Sequence, residues 1–518
     1  MREIPGRAPP RQEVDLEFIG WMYDIAREQS PSEEYLLELI ERSAAAGYSA
    51  MGLYLEHRFA YPSAPWAAGP GCLTPEVMVR LSRAAGERGV RLIPFLNTLG
   101  HMEGFIRAEG GQWLAEAPGR GALQSCPSRP ECREFASSLV ADAVAAFDDE
   151  WVHLGGDEAH QLGKCPLCRE RAKEIGEVGL YAEYYGRLCR EVIARGRRPC
   201  LWGDMLAKFP EALGEIPRET VIFDWDYEKV PVETAAMFKE RGYEVVLSSA
   251  VRSYDANWCF LDETRSVIDA HTEAVGAGMV GQLVCAWEFF GFSSFASVLP
   301  LIMAAGRRIS SGEGWESAIK AEGGEDYAAG AEILGSRIPA LSPFLALGGW
   351  RSLREPLSKH GDPMRLWRAW REEAVGRGGD AILKALLEAE EALEPESPLR
   401  FQVTFHRTAI EWVRLVERAA DLYARGDNDR SADMLGQGER ALAGLQSGLE
   451  KVAAGGGSMA DLGRLERVLG AAEHAASSVR TAPVSGGGRP AFEIVTQSAH
   501  TPGDQASWQT EGPASGRF

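Results

Sequence analysis

Long apolar runs are missing from this chain of 518 residues. A membrane-spanning helix needs about 20 predominantly apolar residues in a row, and no stretch comes near that length, so we expect no membrane span. The opening residues, MREIPGRAPPRQEVDLEF, also lack the apolar segment that characterises a secretory signal. The sequence therefore predicts a cytoplasmic protein.

Basic residues are also scarce, with 55 Lys and Arg against 75 Asp and Glu and a net charge of −20. Nucleic acids and anionic membranes are bound through a basic face, so we expect neither as a partner. The acidic balance suits a neutral or cationic small molecule, and it equally suits solubility alone. The nine cysteines are an odd number without a regular framework, as expected in a reducing compartment.

Short apolar strand-like runs alternate with helical stretches over the first two-thirds of the chain. This alternation predicts an α/β protein with a parallel sheet and right-handed crossovers, and eight repeats over about 300 residues predict a (β/α)8 TIM barrel. A doubly wound open sheet is the alternative. Ser30 and Thr74 are predicted to cap the first two helices. The predicted strands are 18–24, 49–56, 91–97, 150–156, 199–204, 219–226, 243–249 and 281–288.

Beyond the last predicted strand, the helical spacing of apolar residues continues without strand signals. We expect a C-terminal α-helical domain there, involved in forming a homodimer. The last residues are rich in Gly, Pro, Ser and Gln, which predicts a flexible tail. The predicted division is an N-terminal extension at 1–14, a catalytic barrel at 15–335, a helical domain at 336–480 and a tail at 481–518.

Two adjacent acids, Asp157 and Glu158, end the fourth predicted strand in the stretch WVHLGGDEAH at 151–160. The carboxyl ends of barrel strands carry active sites, and two carboxyl groups can divide acid and base roles when their surroundings differ. Neighbouring residues are poorly placed to face each other across a glycosidic bond. They suit a substrate whose own 2-acetamido group attacks the anomeric carbon, with one carboxylate holding the N–H and the other protonating the leaving oxygen.

The stretch HLGGDEAH resembles the His-x-Gly-Gly-Asp-Glu signature of family 20 glycoside hydrolases, the β-N-acetylhexosaminidases. GWMYDIAR, IPFLNTLGH, LWGDM, FDWDY and CAWE resemble further segments of that family in the same order, roughly over 15–310. The resemblance implies a TIM barrel with the signature after strand 4. It also implies exo-hydrolysis of terminal β-linked N-acetylglucosamine or N-acetylgalactosamine, with retention through an oxazoline intermediate and without a cofactor.

The resemblance also implies roles for individual residues. Asp157 would orient the acetamido nitrogen, Glu158 would be the general acid and base, and the hydroxyl of Tyr227 or Tyr254 would donate a hydrogen bond to the oxazoline. For each tryptophan and histidine, ordinary core packing is the alternative. The residues expected to contact the sugar are Asp24, His101, Trp202, Asp204, Trp225, Trp287 and Glu288, and those expected to support the carboxylates are His153 and Asn97.

A metal site is a separate hypothesis, because His160, Cys165 and Cys168 have the Cys-x-x-Cys spacing and nearby histidine of a structural zinc site. The stretch CPSRPEC at 126–132 offers further thiols. Reduced thiols in an ordinary turn are the alternative.

Two other functions compete with glycoside hydrolysis. One is a metal-dependent TIM-barrel hydrolase or lyase that uses His57, His153, Asp157 and Glu158, since such sites combine histidines and carboxylates at strand ends. The other is a non-catalytic carbohydrate-binding barrel, which would have no need of an acid at position 158.

Overall fold

Eight parallel strands close into a barrel in this computed structural model. The structure describes residues 16–26, 31–69, 71–119, 122–251, 261–275, 279–287, 295–337 and 379–454, with 473, 477 and 480. The first strand pairs with the last, Phe18 opposite Gly281, which excludes the open sheet. The strands are β1 (Phe18–Asp24), β2 (Ala50–Tyr54), β3 (Arg91–Phe95), β4 (Trp151–His153), β5 (Arg198–Trp202), β6 (Val221–Trp225), β7 (Glu244–Ala250) and β8 (Gly281–Ala286).

Helices surround this barrel. The first begins at Glu33 behind Ser32, whose hydroxyl accepts from the backbone N–H of Tyr35 at 3.1 Å, and Thr74 caps the second, as predicted. The helices up to the end of the barrel are α1 (Glu33–Ala45), α2 (Pro75–Glu87), α3 (Glu103–Arg107), α4 (Pro130–Ala146), α5 (Pro166–Ala194), α6 (Asp204–Lys208), α7 (Val232–Glu240), α8 (Leu261–Val275), α9 (Leu299–Ser311) and α10 (Trp315–Arg337).

Short 3₁₀ turns and two glycine interruptions complete the barrel segment. Helix α5 is interrupted at Gly176 and α10 at Gly324, where the backbone leaves helical geometry. The 3₁₀ turns are Glu56–Arg58, Pro65–Ala67, Gln112–Leu114, Pro210–Gly214 and Phe295–Ser297.

Alternate residues of each strand point into the barrel, as the two-residue period of a strand requires. The interior is filled by rings, including those of Phe18, Phe95, Trp151 and Phe223. Gly52 makes room for one of them, because a Cβ at this position would lie 2.5 Å from Cε2 of Phe95. The interior is therefore a packed core, and a ligand can enter only at an end of the barrel.

The described part of the C-terminal region is helical, with α11 (Gly379–Ala392), α12 (Arg400–Ala424), α13 (Asn428–Ala443) and α14 (Gln446–Ala454). Helix α11 packs on α10, α12 on α11 and α13 on α12, so this region continues the core of the barrel. The predicted extension at 1–14 and tail at 481–518 lie outside the described residues. Among the helices described, none is long and apolar enough to cross a bilayer.

Candidate active site

Within the described residues, the acids and aromatic residues singled out in the sequence meet at the carboxyl end of the barrel. Most of them continue the inward alternation of a strand: Trp225 follows Phe223 on β6, and Asp157 comes four residues after His153, the last residue of β4. Five other positions keep the same phase: Asp24, Asn97, Asp204, Tyr227 and Trp287. One geometric rule, the period of two, therefore gathers side chains from six strands at one rim.

A left-handed turn presents the acidic pair. Gly155 and Gly156 have φ values of 78° and 104°, and Glu158 has a φ of 47°. A side chain at Gly156 is excluded in addition by space, because a Cβ there would lie 2.9 Å from the hydroxyl of Tyr181. That hydroxyl donates to the Gly156 carbonyl at 2.8 Å. The turn is fixed from behind, so the direction of both carboxyl groups is set by the backbone.

His101 connects the two carboxyl groups. Its Nε2 lies 3.3 Å from Oδ2 of Asp157 and 3.2 Å from Oε2 of Glu158. Burial alone would lower the pKa of His101, but interactions with Tyr54 and with Asp157 outweigh it and raise that pKa well above the usual histidine value. An imidazolium at neutral pH reduces the repulsion between two neighbouring carboxylates.

Backbone strain is concentrated at this rim. Among the described residues other than glycine, positive φ values occur at Glu56, His101 and Glu158, which follow β2, β3 and β4 in turn. Such a conformation costs about 1–3 kcal/mol per residue and persists where the surrounding structure enforces it, most often at functional sites. Because all three strained residues lie at the carboxyl end of the barrel, this end is the expected place of the functional site.

Asp204 supports the turn from the next strand. Its Oδ2 accepts the backbone N–H of Glu158 at 2.9 Å, and its Oδ1 accepts from Nε1 of Trp225 at 3.4 Å. Loss of solvent around the carboxyl raises the pKa of Asp204 to about 7, and the charges of Asp157 and Glu158 add to the rise. The group therefore changes charge near neutral pH while remaining in contact with the acidic pair.

Aromatic side chains form the wall beside the acids. The rings of Trp225 and Tyr227 stack with centroids 5.0 Å apart, and the indole of Trp287 donates to the Tyr227 hydroxyl at 2.9 Å. Tyr54 meets Trp287 edge to face at 5.0 Å. Trp225, Tyr227 and Trp287 are each partly exposed, so this wall offers apolar faces to a ligand. Tyr54 was missed in the sequence, although its place at the end of β2 and its inward phase were signals for it.

Two of the predicted residues lie deeper. Trp202 is only 1% exposed and packs 6.2 Å below Trp287, centroid to centroid, so it forms the floor under the wall. His153 stacks on Phe95 at 4.4 Å, and burial lowers its pKa well below the usual value. Its Nδ1 accepts from the Gly155 N–H at 3.1 Å. His153 therefore holds the glycine turn, whereas we expected it to hold the carboxylates.

Asp24 and Asn97 are buried at the same rim. Oδ1 of Asp24 accepts the backbone N–H of Ala26 at 3.0 Å, and the amide of Asn97 donates to the hydroxyl of Tyr54. Asn97 thus anchors the aromatic wall through Tyr54. The other two predicted residues, Tyr254 and Glu288, lie outside the described residues.

The structure distinguishes between the two metal sites considered from the sequence, a structural zinc site and a catalytic metal site. The described residues bring together one group able to share an ion, made of Glu116, Cys126, Cys165 and Cys168. His160 is exposed and lies outside this group, so its inclusion with the two cysteines was wrong. None of the four residues considered as ligands for a metal-dependent hydrolase or lyase belongs to this group. Those residues are His57, His153, Asp157 and Glu158.

Comparisons with known proteins agree with this geometry. Residues 41–279, from α1 to just before β8, match the model of the glycosyl hydrolase family 20 catalytic domain. A beta-hexosaminidase of Akkermansia muciniphila is 25% identical over 37% of this chain and 39% of its own length. A beta-hexosaminidase subunit beta of Entamoeba histolytica is 23% identical over 45% of this chain and 44% of its own length.

Solved structures similar to this chain include the chitobiase of Flavobacterium johnsoniae, with a TM-score of 0.49 and 12% identity over 94% of this chain and 78% of that one. The chain spans about two-fifths of the length of the curated relatives. Residues 41–279, which match the family model, contain the acidic pair, the glycine turn and most of the aromatic wall. Residues 41–279 of this barrel are therefore similar to the catalytic domain of glycosyl hydrolase family 20.

Proposed function

We propose that this chain is an exo-β-N-acetylhexosaminidase that removes terminal β-linked N-acetylglucosamine or N-acetylgalactosamine with retention of configuration. The observation that carries the proposal is the placement of Asp157 and Glu158. Both emerge from one rigid turn at the carboxyl end of the barrel, both lie within 3.3 Å of the same His101 nitrogen, and an aromatic wall stands beside them. The similarity to beta-hexosaminidases gives further support.

The chemistry follows from the adjacency of the two acids. The carboxyl groups of a glycosidase that acts directly must stand about 5 Å or more apart, on either side of the bond that breaks. Asp157 and Glu158 share one turn and one histidine, so the nucleophile is better supplied by the substrate. The acetamido oxygen attacks C1 while Asp157 accepts the hydrogen bond of its N–H and stabilises the positive charge that develops on the oxazoline.

Glu158 moves the proton. It gives its proton to the glycosidic oxygen as the C1–O bond breaks, and the departing group leaves as an alcohol. The resulting carboxylate then takes a proton from water, which attacks C1 and reopens the oxazoline. C1 is inverted twice, so the product keeps the β configuration.

The aromatic wall positions the sugar. The C–H face of a pyranose packs well on indole rings, and Trp225 and Trp287 present such rings next to the acids. The Tyr227 oxygen accepts from Trp287, and its hydroxyl also contacts the Cys285 thiol. We assign its hydroxyl hydrogen to the oxazoline nitrogen or oxygen once the sugar is bound. Tyr227 is the candidate within the described residues, and its ring stacks on Trp225 in the wall beside the acids, whereas Tyr254 lies outside those residues.

A panel of three substrates tests the proposal. We expect hydrolysis of the 4-nitrophenyl β-glycosides of N-acetylglucosamine and N-acetylgalactosamine, and only background release from the β-glucoside, which lacks the nucleophile. A thiazoline that imitates the oxazoline should inhibit far more tightly than the substrate binds. Release of nitrophenol is the readout, and the first-formed anomer is identified by proton NMR. Efficient cleavage of the glucoside, or an inverted product, would refute the mechanism.

Asp204 gives a prediction about pH. Ionised Asp204 disfavours ionisation of its neighbour Glu158, so it keeps the general acid protonated to higher pH. In Asp204→Asn this charge is absent, and the alkaline limb of the kcat/KM profile should move to lower pH by about one unit. The Asn oxygen can still accept the N–H of Glu158. Asp226→Asn is the control, because that carboxylate accepts the backbone N–H groups of Glu228 and Lys229; a limb that stays in place or moves to higher pH contradicts the assignment.

We also infer a cytoplasmic location. The cysteines of the described residues are all free thiols, as expected where glutathione and thioredoxin keep thiols reduced.

A further inference from the structure

A cluster of buried metal-ligating groups lies outside the active site. Glu116 and Cys126 belong to the segment between α3 and α4, whereas Cys165 and Cys168 lie at the start of α5. The ligand atoms of all four side chains lie within 4.8 Å of one another, and all four are buried. We call these four residues the thiol cluster.

The spacing of the cluster fits one tetrahedral ion. The Cys126 sulfur lies 3.6 Å from the Cys165 sulfur and 3.4 Å from that of Cys168. Zinc–sulfur bonds of about 2.3 Å at tetrahedral angles place two sulfurs roughly 3.8 Å apart. Three thiolates and one carboxylate are ligands that zinc accepts, and soft thiolates exclude magnesium and calcium.

Glu116 provides an independent sign of a cation site. Its side chain is fully buried, and Oε1 accepts the backbone N–H of Cys165 at 2.9 Å. The other oxygen, Oε2, has no hydrogen-bond partner. A buried carboxylate oxygen without a partner is costly, and a cation bonded to it removes that cost.

The surroundings suit thiolates as well. The backbone N–H of Cys168, in the first turn of α5, donates to the Cys165 sulfur at 3.2 Å. The Cys168 sulfur lies 3.0 Å from Oγ of Ser128. Amide N–H groups at a helix start and hydroxyl groups that contact the ligands are typical of structural metal sites.

We propose that Glu116, Cys126, Cys165 and Cys168 bind a zinc ion that joins the segment after β3 to the start of α5. All four coordination positions are filled by protein, which leaves no open position for a substrate. The role is therefore structural, and it does not depend on the proposed hydrolase activity.

The ion would brace the two loops that build the active site. The Ser125 N–H, next to Cys126, donates to the Leu99 carbonyl at 2.8 Å, two residues before His101. On the other loop, the Gln161 N–H donates to Oε1 of Gln124 at 2.9 Å, three residues after Glu158. The thiol cluster thus fixes the loop of His101 against the loop of the acidic pair.

Metal analysis of the full-length protein tests the site. We expect about one zinc per chain by mass spectrometry of metals after extensive dialysis, and loss of that zinc in the Cys126→Ser and Cys168→Ser variants. Glu116→Gln should bind zinc more weakly, as shown by faster transfer to a chromogenic chelator. Cys132→Ala is the matched control, because this buried thiol lies nearby but outside the cluster, and it should keep the zinc.

A second measurement on the unmutated chain does not depend on whether the variants fold. Replacing the metal with cobalt should give the intense thiolate-to-metal absorption of a site with three sulfur ligands. Removing the metal should lower Tm by roughly 5–10 °C. Absence of metal, zinc retained in the double variant Cys126→Ser/Cys168→Ser, or a disulfide between these two cysteines in the intact mass would overturn the proposal. None of these outcomes bears on the substrate panel, so the two proposals fail separately.

Discussion

Glu158→Gln should lower kcat by about 10²- to 10⁴-fold, the usual contribution of a positioned general acid. Glutamine keeps the size of the side chain and has no proton to give to the glycosidic oxygen. The turn itself is held by the Glu158 N–H bond to Asp204, which the substitution keeps, so the fold and substrate binding should survive. Retained binding with lost turnover is measured by steady-state kinetics together with calorimetric titration of the product sugar.

The leaving group sharpens this test. Nitrophenolate departs with little help from an acid, whereas an alkyl or sugar alcohol needs the proton. The loss in Glu158→Gln should therefore be much larger for a disaccharide than for the 4-nitrophenyl glycoside. Glu134→Gln is the matched control, because Glu134 is an exposed carboxylate on α4 and should change kcat little. Equal losses with both leaving groups would show that Glu158 is not the acid, and sugar binding without turnover in the unmutated chain would favour the non-catalytic barrel.

Asp157→Asn should lower kcat by about 10²- to 10³-fold, as when one preorganised electrostatic contact is removed from a transition state. The asparagine keeps the shape but not the negative charge that holds the acetamido N–H and balances the oxazoline. Because this role precedes and outlasts the departure of the leaving group, the loss should be similar for the nitrophenyl glycoside and the disaccharide. The contrast between the two variants separates their roles.

Inhibitor binding checks the same assignment. The thiazoline analogue should lose affinity for Asp157→Asn in proportion to the loss of kcat/KM, since both report stabilisation of the cyclic intermediate. Asp226→Asn serves again as the carboxylate control beside the aromatic wall. Unchanged thiazoline affinity in Asp157→Asn would remove Asp157 from the role of polarising the acetamido group.

The barrel was predictable because its strands carry their own signals. Each predicted strand overlaps an observed one, and most differ from it only at the ends, where hydrogen bonding stops before the apolar run does. β4 is the clearest case, since the run 150–156 pairs only over Trp151–His153 and Gly155 and Gly156 then turn. The start of α1 was misplaced, because Ser30 and Ser32 are both good caps and only the tertiary path selects Ser32.

Local spacing was less informative about sites built from distant segments. The inward phase of the strands allowed the acids and tryptophans to be placed at one rim, yet it gave no information on the depth of Trp202 or His153. The thiol cluster shows the same limit. Cys165 and Cys168 are visible as a pair, but Glu116 lies 49 residues from Cys165 and carries no motif, and the nearby His160 was the wrong third ligand.

The residues with positive φ at the rim combine backbone strain with side chains that the active site uses. Glycine adopts positive φ without the steric penalty that Glu56, His101 and Glu158 bear, so glycine would relax the backbone at these positions. At Glu56 it would also remove the buried carboxylate that accepts the Gly104 N–H. At Glu158 and His101 the same change removes a side chain from the acidic centre. Glycine at position 158 would accordingly relieve the strain of the turn and remove the general acid on which the proposed reaction depends.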